Sequence, residues 1–255
     1  MKEHYFVPQS AEIVNKIDAI ARRHGSRERV FDDLLTLSVC ALAGGRQEDE
    51  YLQTARPYCD GKQGQRAIDQ LVEVFAEIVS LTEQTQSDVL GDIFQGAITR
   101  GENGQFFSPP SVCDLMASMS DIDERRDKPL QSDNDDRELK TIFDPCVGSG
   151  RMLLAAAKVN RNRYFVGQDI DHRCAKIAAI NLALWNLSGR IIWGNTLTNE
   201  IRRVYHTGFD GRGLIRIEDV ESSALAPFVQ ATTRPNQSLV EQRHRQFPLF
   251  SDLQT

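Results

Sequence analysis

Cysteine is sparse and unpatterned in this 255-residue chain: Cys40, Cys59, Cys113, Cys146 and Cys174 are odd in number and form no Cys-x-x-Cys pair. That excludes a disulfide framework and a zinc finger or ribbon, and predicts reduced thiols in a cytoplasmic protein. Long hydrophobic runs are missing as well. The longest, Leu34 to Ala43, is interrupted by Thr36 and Ser38 and ended by Gly44-Gly45, too short and too mixed to span a bilayer. The amino terminus has no signal-peptide apolar core. Positive charge is not in excess: 30 Lys and Arg face 36 Asp and Glu, a net −6. Nucleic-acid binding therefore requires a local basic patch or a partner. There is no internal repeat. What remains has the composition of a soluble protein, in a length that serves one large or two small domains.

Up to about Arg100 the apolar residues recur at helical spacing. Ile13, Ile17, Ile20 and Ala21 form one stripe after a cap at Ser10, and Val30, Leu34, Leu37 and Ala41 form a second. Ile68, Leu71, Val72, Phe75, Ile78 and Val79 form the clearest, continued by Val89, Leu90, Ile93, Phe94 and Ala97. These stripes predict a helical, core-forming region over residues 1–100. A glycine- and proline-rich loop, Gly101 to Ser111, leads into a helix that begins with Val112, Leu115, Met116 and Met119. Asp121 to Lys140 is dense in charge and predicts a solvated loop.

From Thr141 the period changes. Thr141-Ile142-Phe143 reads as a strand, Asp144-Pro145-Cys146-Val147-Gly148-Ser149-Gly150 as a glycine-rich turn, and Met152 to Ala157 as a helix. Tyr164 to Asp169 is a second strand, His172 to Leu187 a second helix and Ile191-Ile192-Trp193 a third strand. This β-α-β-α-β order predicts an α/β fold with a parallel sheet and right-handed crossovers. Beyond Thr196 the pattern fades, apart from one short strand about Leu214, Ile215 and Ile217. Residues 221–255, rich in Gln, Ser, Thr and Arg, predict a disordered tail. The expected division is thus 1–100 helical, 101–220 α/β and 221–255 tail.

A glycine turn between strand and helix is how a doubly wound fold approaches a nucleotide-like ligand. Its details discriminate among ligands. A dinucleotide fingerprint requires Gly or Ala where Leu153 stands, which argues against NAD and FAD. A phosphate-binding P-loop requires Lys and then Ser or Thr where Arg151-Met152 stand, which argues against ATP and GTP. Asp169 ends the second strand about 20 residues past Gly150, where a carboxylate accepts ribose hydroxyls. A ribose acid without phosphate machinery fits S-adenosylmethionine (SAM). Cys146 follows Pro145, which resembles the nucleophile of cytosine methyltransferases, but its place inside the turn predicts a small buried side chain instead.

From about Val89 to Leu197 the chain resembles the adenine-specific, SAM-dependent DNA methyltransferases, in particular the modification subunits of type I restriction systems. Leu90-Gly91-Asp92-Ile93-Phe94 looks like the segment before the catalytic domain. Gly104-Gln105-Phe106-Phe107-Ser108-Pro109-Pro110 is similar to the signature loop, with Ser108 where Thr is usual. The resemblance implies a Rossmann-like methyltransferase core with a partial parallel sheet after a helical amino-terminal region. It implies that the loop at Gln105, Phe106, Phe107, Ser108 and Pro109 closes over the methionine end of SAM. Asp144, with Pro145, Gly148 and Gly150, would lie by the methionine amino group, Asp169 at the ribose, and Asn195, in Gly194-Asn195-Thr196-Leu197, at the adenine. DNA is the implied partner.

One element of that family is absent. Its tetrad of Asn or Asp, Pro, Pro and an aromatic holds the target amine and stacks on the flipped base. The chain's one Pro-Pro, in Ser108-Pro109-Pro110-Ser111, has neither the amide nor the aromatic, and Ala226-Pro227-Phe228 is at best a remnant. The expectation therefore divides between an active methyltransferase and a catalytically silent SAM-binding module brought to DNA by a partner. Sixty residues follow Asn195, fewer than the remaining strands of the family fold require, so the edge beside the first strand calls for a cover: Leu214 to Val220, a second copy, or another protein. In the tail, Gln246-Phe247-Pro248-Leu249-Phe250 is similar to the pentapeptide that binds the bacterial sliding clamp. Gln246 would set its register, and Leu249 and Phe250 would fill an apolar pocket. Arg202, Arg203, His206, Arg212 and Arg216, interleaved with Tyr205 and Phe209, form a basic stretch suited to phosphates or to a solvated face.

Overall fold

Side-chain alternation builds the sheet. The computed structural model describes residues 5–99, 107–120 and 140–220, and within these five strands form one sheet in the order β1-β2-β3-β4-β5. β1 (Thr141–Asp144), β2 (Tyr164–Asp169) and β3 (Gly189–Asn195) are parallel. β4 (Glu200–Thr207) and β5 (Ile215–Asp219) continue the sheet antiparallel. Ile142, Phe165, Ile191, Tyr205, Ile215 and Ile217 point to one face and join the main apolar core. Phe143, Tyr164, Val166, Ile192 and Val204 point to the other and form a separate cluster, as a period of two requires.

The main-core face carries the helices. α7 (Arg151–Val159) and α8 (His172–Leu184) are the two crossovers. The amino-terminal helices α1 (Ser10–His24), α2 (Arg27–Leu42), α3 (Glu48–Ala55) and α4 (Ala67–Thr85) and the short α5 (Val89–Ile93), which runs on as a π-helical turn over Phe94–Thr99, bring most of their buried residues into the same apolar cluster as α8. α8 lies between sheet and helical region, and Ile177, Ala178, Ala179, Ile180 and Leu182 are buried without remainder. Its small residues let helices approach from one side and strands from the other. At the far end of the sheet Leu214 donates its N–H to the Leu42 carbonyl (2.8 Å), and Arg46 grips Asp210 with both terminal nitrogens (2.8 and 2.7 Å).

The expected α/β fold with a helical amino-terminal region is the fold observed. The differences are local. The sheet is mixed rather than parallel, because residues 200–207 form β4: Ile201, Val204 and Tyr205 are too widely interrupted by charge to read as a strand, yet pairing with β3 on one side and β5 on the other supplies its hydrogen bonds. The Leu214 to Val220 segment is indeed a strand, but it extends the β4 edge and does not cover β1, which among the described residues pairs with β2 alone. In α4 the buried position is Val74, while Val72 is 56% exposed. In α6 (Pro110–Ser120) the small residues Cys113 and Ala117 pack against α7, and the large ones, Val112, Leu115, Met116 and Met119, stand 43–62% exposed.

Candidate functional site

Parallel strands put their carboxyl ends on one rim, and the rim is where a doubly wound sheet binds ligands. Asp144 ends β1, Asp169 ends β2 and Asn195 ends β3. The glycine turn runs from Asp144 into α7 along this rim, and its hydrogen bonds fix its course. Cys146 donates its N–H to Asp144 Oδ1 (3.1 Å) and Val147 to the Gln168 carbonyl (2.9 Å). Gly148 donates to Asp169 Oδ2 (2.9 Å) and Gly150 to the Val147 carbonyl (2.8 Å). Thr196 closes the far side, its hydroxyl donating to the Pro145 carbonyl (2.7 Å). Gly148 and Gly150 both have φ in the left-handed region, at 54° and 86°, which a Cβ would strain. A Cβ on Gly148 would also lie 2.9 Å from the Phe107 ring, so the loop residue rests directly on the turn.

The electrostatics of the cup are anionic. Burial pushes the Asp144 carboxyl above its usual range, and the Cys146 N–H only partly offsets this. Burial likewise raises Asp169, and the charges of Asp171 and Asp144 raise it further, against the hydrogen bonds from Asp171 and Gly148. In a phosphate loop, free backbone N–H groups at a helix start attract an anion. Here the Gly148 N–H is already given to a carboxylate, and a phosphate would meet two half-buried acids. A cationic ligand with hydroxyls is the complementary one. SAM, with its ammonium, sulfonium and ribose, has that chemistry, so the residues present fit it. Asp169 Oδ1 accepts from the Asp171 N–H (2.9 Å), and each carboxylate oxygen retains a second lone pair.

Of the residues expected in the site, the structure brings together Phe107, Ser108, Pro109, Asp144, Pro145, Gly148, Gly150, Asp169 and Asn195. The Ser108 carbonyl accepts from Arg151 and the Pro109 carbonyl starts α6. Asn195 turns its Oδ1 back to the Leu197 N–H (3.0 Å), which leaves Leu197 standing 95% exposed on the rim. Gln105 and Phe106 lie outside the described residues, as do Gln246, Leu249 and Phe250. Cys146 is exposed, not buried: its side chain leaves the turn on the solvent side, because Val147 takes the inward position. The basic stretch also resolves differently. Arg203 turns inward to pair with Glu50 and Asp219, and Tyr205 is wholly buried with its hydroxyl on His172 Nε2 (2.6 Å). Adjacent residues of a strand face opposite ways, so the stretch cannot act as one surface.

A group that sequence reasoning missed stands behind the turn. Asp88, at the start of α5, is buried and accepts four hydrogen bonds: Oδ1 from Gly91 N–H (2.8 Å) and Asn181 Nδ2 (2.7 Å), Oδ2 from the Ser149 hydroxyl and Arg151 Nε (3.1 Å). Asn181 also donates to the Ser149 carbonyl (2.9 Å). A Cβ on Gly91 would overlap both Asp88 and Ser149, so glycine lets α5 come this close. The one sequence signal was Asn181, the only polar residue in the second half of α8, after Lys176. Asp92 repeats the device, its carboxylate taking the N–H groups of Phe6 (2.9 Å) and Val7 (3.0 Å) and the Ser10 hydroxyl (2.9 Å). Ser10 is thus an anchor inside α1 and not its cap, which is Gln9.

Residues 85–210 match the family model described as N-6 DNA Methylase. Among solved structures, the chain is similar to a class I S-adenosylmethionine-dependent methyltransferase from Listeria monocytogenes (15% identity, 74% of this chain and 54% of that one, TM-score 0.40). It is also similar to a type I restriction-modification system methyltransferase subunit from Streptococcus thermophilus (14% identity, 74% and 59%, TM-score 0.37). It therefore spans little more than half the length of either. The matched segment holds α5 with its buried Asp88, the glycine turn and the three parallel strands that end at Asp144, Asp169 and Asn195, and over it this chain is similar to the N-6 DNA methylase family.

Proposed function

We propose that this protein binds SAM in the anionic cup between Asp144 and Asp169 and serves adenine-specific methylation of DNA. The observation that carries the reading is the cup itself: two half-buried carboxylates on adjacent strand ends, Asp144 capped by the Cys146 N–H and Asp169 by the Gly148 N–H, in a turn inside the segment that matches the N-6 DNA Methylase model. Asp144 would take the ammonium of the methionine end, Asp169 the ribose hydroxyls, and the rim at Asn195 the adenine. The Phe107–Pro109 loop, with Gln105 and Phe106 before it, would cover the methionine end. Transfer itself would be direct attack of the adenine amine on the methyl carbon. SAM held there would supply the methyl group, its S–C bond breaking onto sulfur as the amine's electron pair takes the carbon, and the proton lost from the methylated amine would pass to solvent. Catalysis of this kind is largely positioning. The helical residues up to 100 would scaffold the SAM-binding part over 101–220, with 221–255 as a tail.

The missing tetrad favours a second reading, a SAM-binding module without transferase activity of its own. It would be brought to DNA by a catalytic partner or by the sliding clamp through Gln246, Leu249 and Phe250, with that partner or a second copy of the chain covering the sheet edge. Titration calorimetry with SAM, followed by transfer of tritiated methyl from SAM to unmethylated DNA, separates the two. Binding and transfer together support the enzyme, binding alone the module, and absence of binding overturns both. Asp169→Asn is expected to weaken SAM binding about tenfold or more, the scale of one hydrogen bond to a charged group. Full affinity in that variant would put the ligand elsewhere.

A further inference from the structure

Arg151 is the first residue of α7, and it is 93% buried. That is a poor place for a cation. The amino end of a helix carries partial positive charge, and a buried guanidinium must recover its lost hydration from partners. Asp88 supplies the counter-charge through Nε (3.1 Å). But Asp88 already has three donors without Arg151, two of them from the turn and α8, so bracing the turn does not account for the arginine. Its remaining contacts do. Nη1 donates to the Ser108 carbonyl (3.0 Å), and the guanidinium lies against the rings of Phe107 (5.8 Å) and Phe6 (5.4 Å). Phe107 in turn rests on Gly148 and stacks on Phe94 (5.7 Å between centroids). Phe6 is held in place by its N–H on Asp92. One side chain thus joins the amino-terminal segment, α5 and the loop at Ser108 to the glycine turn.

We propose that Arg151 is a positioning residue for the cofactor: braced on Asp88, it latches the Phe107–Pro109 loop closed over the glycine turn. The proposal rests on the SAM reading of that turn. A planar guanidinium meets the carboxylate with Nε and the carbonyl with Nη1 at fixed geometry. A lysine ammonium supplies the same charge from a single point and cannot span both. The latch therefore depends on shape as well as charge.

The test is Arg151→Lys, with Arg151→Met as the charge-free control. Hydrogen–deuterium exchange is read over residues 107–113, over α5 and over α8, and SAM affinity is read by calorimetry. In Arg151→Lys, exchange at 107–113 is expected to quicken about tenfold, with α5 and α8 unchanged, and the SAM Kd to weaken by about the same factor, ~1.4 kcal/mol. Unchanged exchange at 107–113 overturns the latch. So does quickening shared equally by α5 and α8, which would make Arg151 a brace of the core. SAM affinity equal to that of the wild type, with the loop loosened, removes its role in cofactor binding. If the wild type does not bind SAM, the SAM reading fails, while the exchange measurement still decides whether Arg151 holds the loop. Should Arg151→Met not fold, Arg151→Lys alone carries the comparison.

Discussion

At the scale of single residues, burial separates groups that the sequence presents as equals. Burial raises the Cys40 thiol to about 12 and raises Cys113 and Cys174 as well, whereas Cys59 and Cys146 are exposed. The thiolate is the reactive form, so two of the five thiols are expected to react with a disulfide reagent in the folded protein. Cys146 adjoins Asp144 in the cup, and SAM should protect it while leaving Cys59 reactive. Equal rates with and without SAM would count against the cup as the ligand site. His172 gives a second residue-level prediction. It stacks on Trp193 (3.9 Å) and meets the Tyr205 hydroxyl, and burial lowers its pKa to about 3, with Lys176 and Arg203 adding to the effect. The unfolded chain takes up this proton near 6.5 and the folded protein only near 3. The stability His172 confers is therefore complete above 6.5 and is lost as pH falls across that window. Urea titrations at pH 7 and pH 5 should show a smaller acid loss in His172→Gln than in the wild type; an equal loss would mean the acid sensitivity lies elsewhere.

At the scale of elements, α6 shows how weakly an apolar stripe specifies its own burial. Val112, Leu115, Met116 and Met119 recur at helical spacing, as core residues do. The helix nevertheless packs on α7 through Cys113 and Ala117, because small residues allow the close approach. Leu115→Gln with Met119→Gln should accordingly change unfolding free energy by no more than about 1 kcal/mol, the sum of two ordinary surface substitutions. A loss of several kcal/mol in a denaturant titration would place the stripe inside a contact. β4 makes the opposite case. Its sequence has too many charges to read as a strand, but Arg203 finds Glu50 and Asp219 across the fold, and Tyr205 is buried outright.

At the scale of the whole molecule, the expected boundary near residue 100 does not interrupt the core. One apolar cluster runs from Ile13 in α1 through α8 to Ile215 in β5. Asp88, Arg46 and Leu42 tie the helical region to both ends of the sheet. Unfolding followed by the fluorescence of Trp185 and Trp193, both in the α/β part, should coincide with unfolding followed by far-ultraviolet circular dichroism, to which α1–α4 contribute heavily. Separate midpoints would show that the two regions fold as independent units.

The sequence by itself determined the parallel strands β1, β2 and β3, their crossover helices, and the rim holding Asp144, Asp169 and Asn195. It could do so because those elements are written in local periodicity and in glycine and acid placement along a few consecutive residues. It also excluded a phosphate loop at Arg151 and a dinucleotide turn at Leu153, one residue at a time. Only the tertiary structure decided that Asp88, distant in sequence, braces the turn, that Arg151 reaches the loop, that residues 200–207 complete a mixed sheet, and that Cys146 faces solvent. Each of those outcomes depends on which buried charge finds which partner across a long separation in the chain. Hydrogen-bond and ion-pair partners are chosen by packing in three dimensions, and no local pattern encodes them.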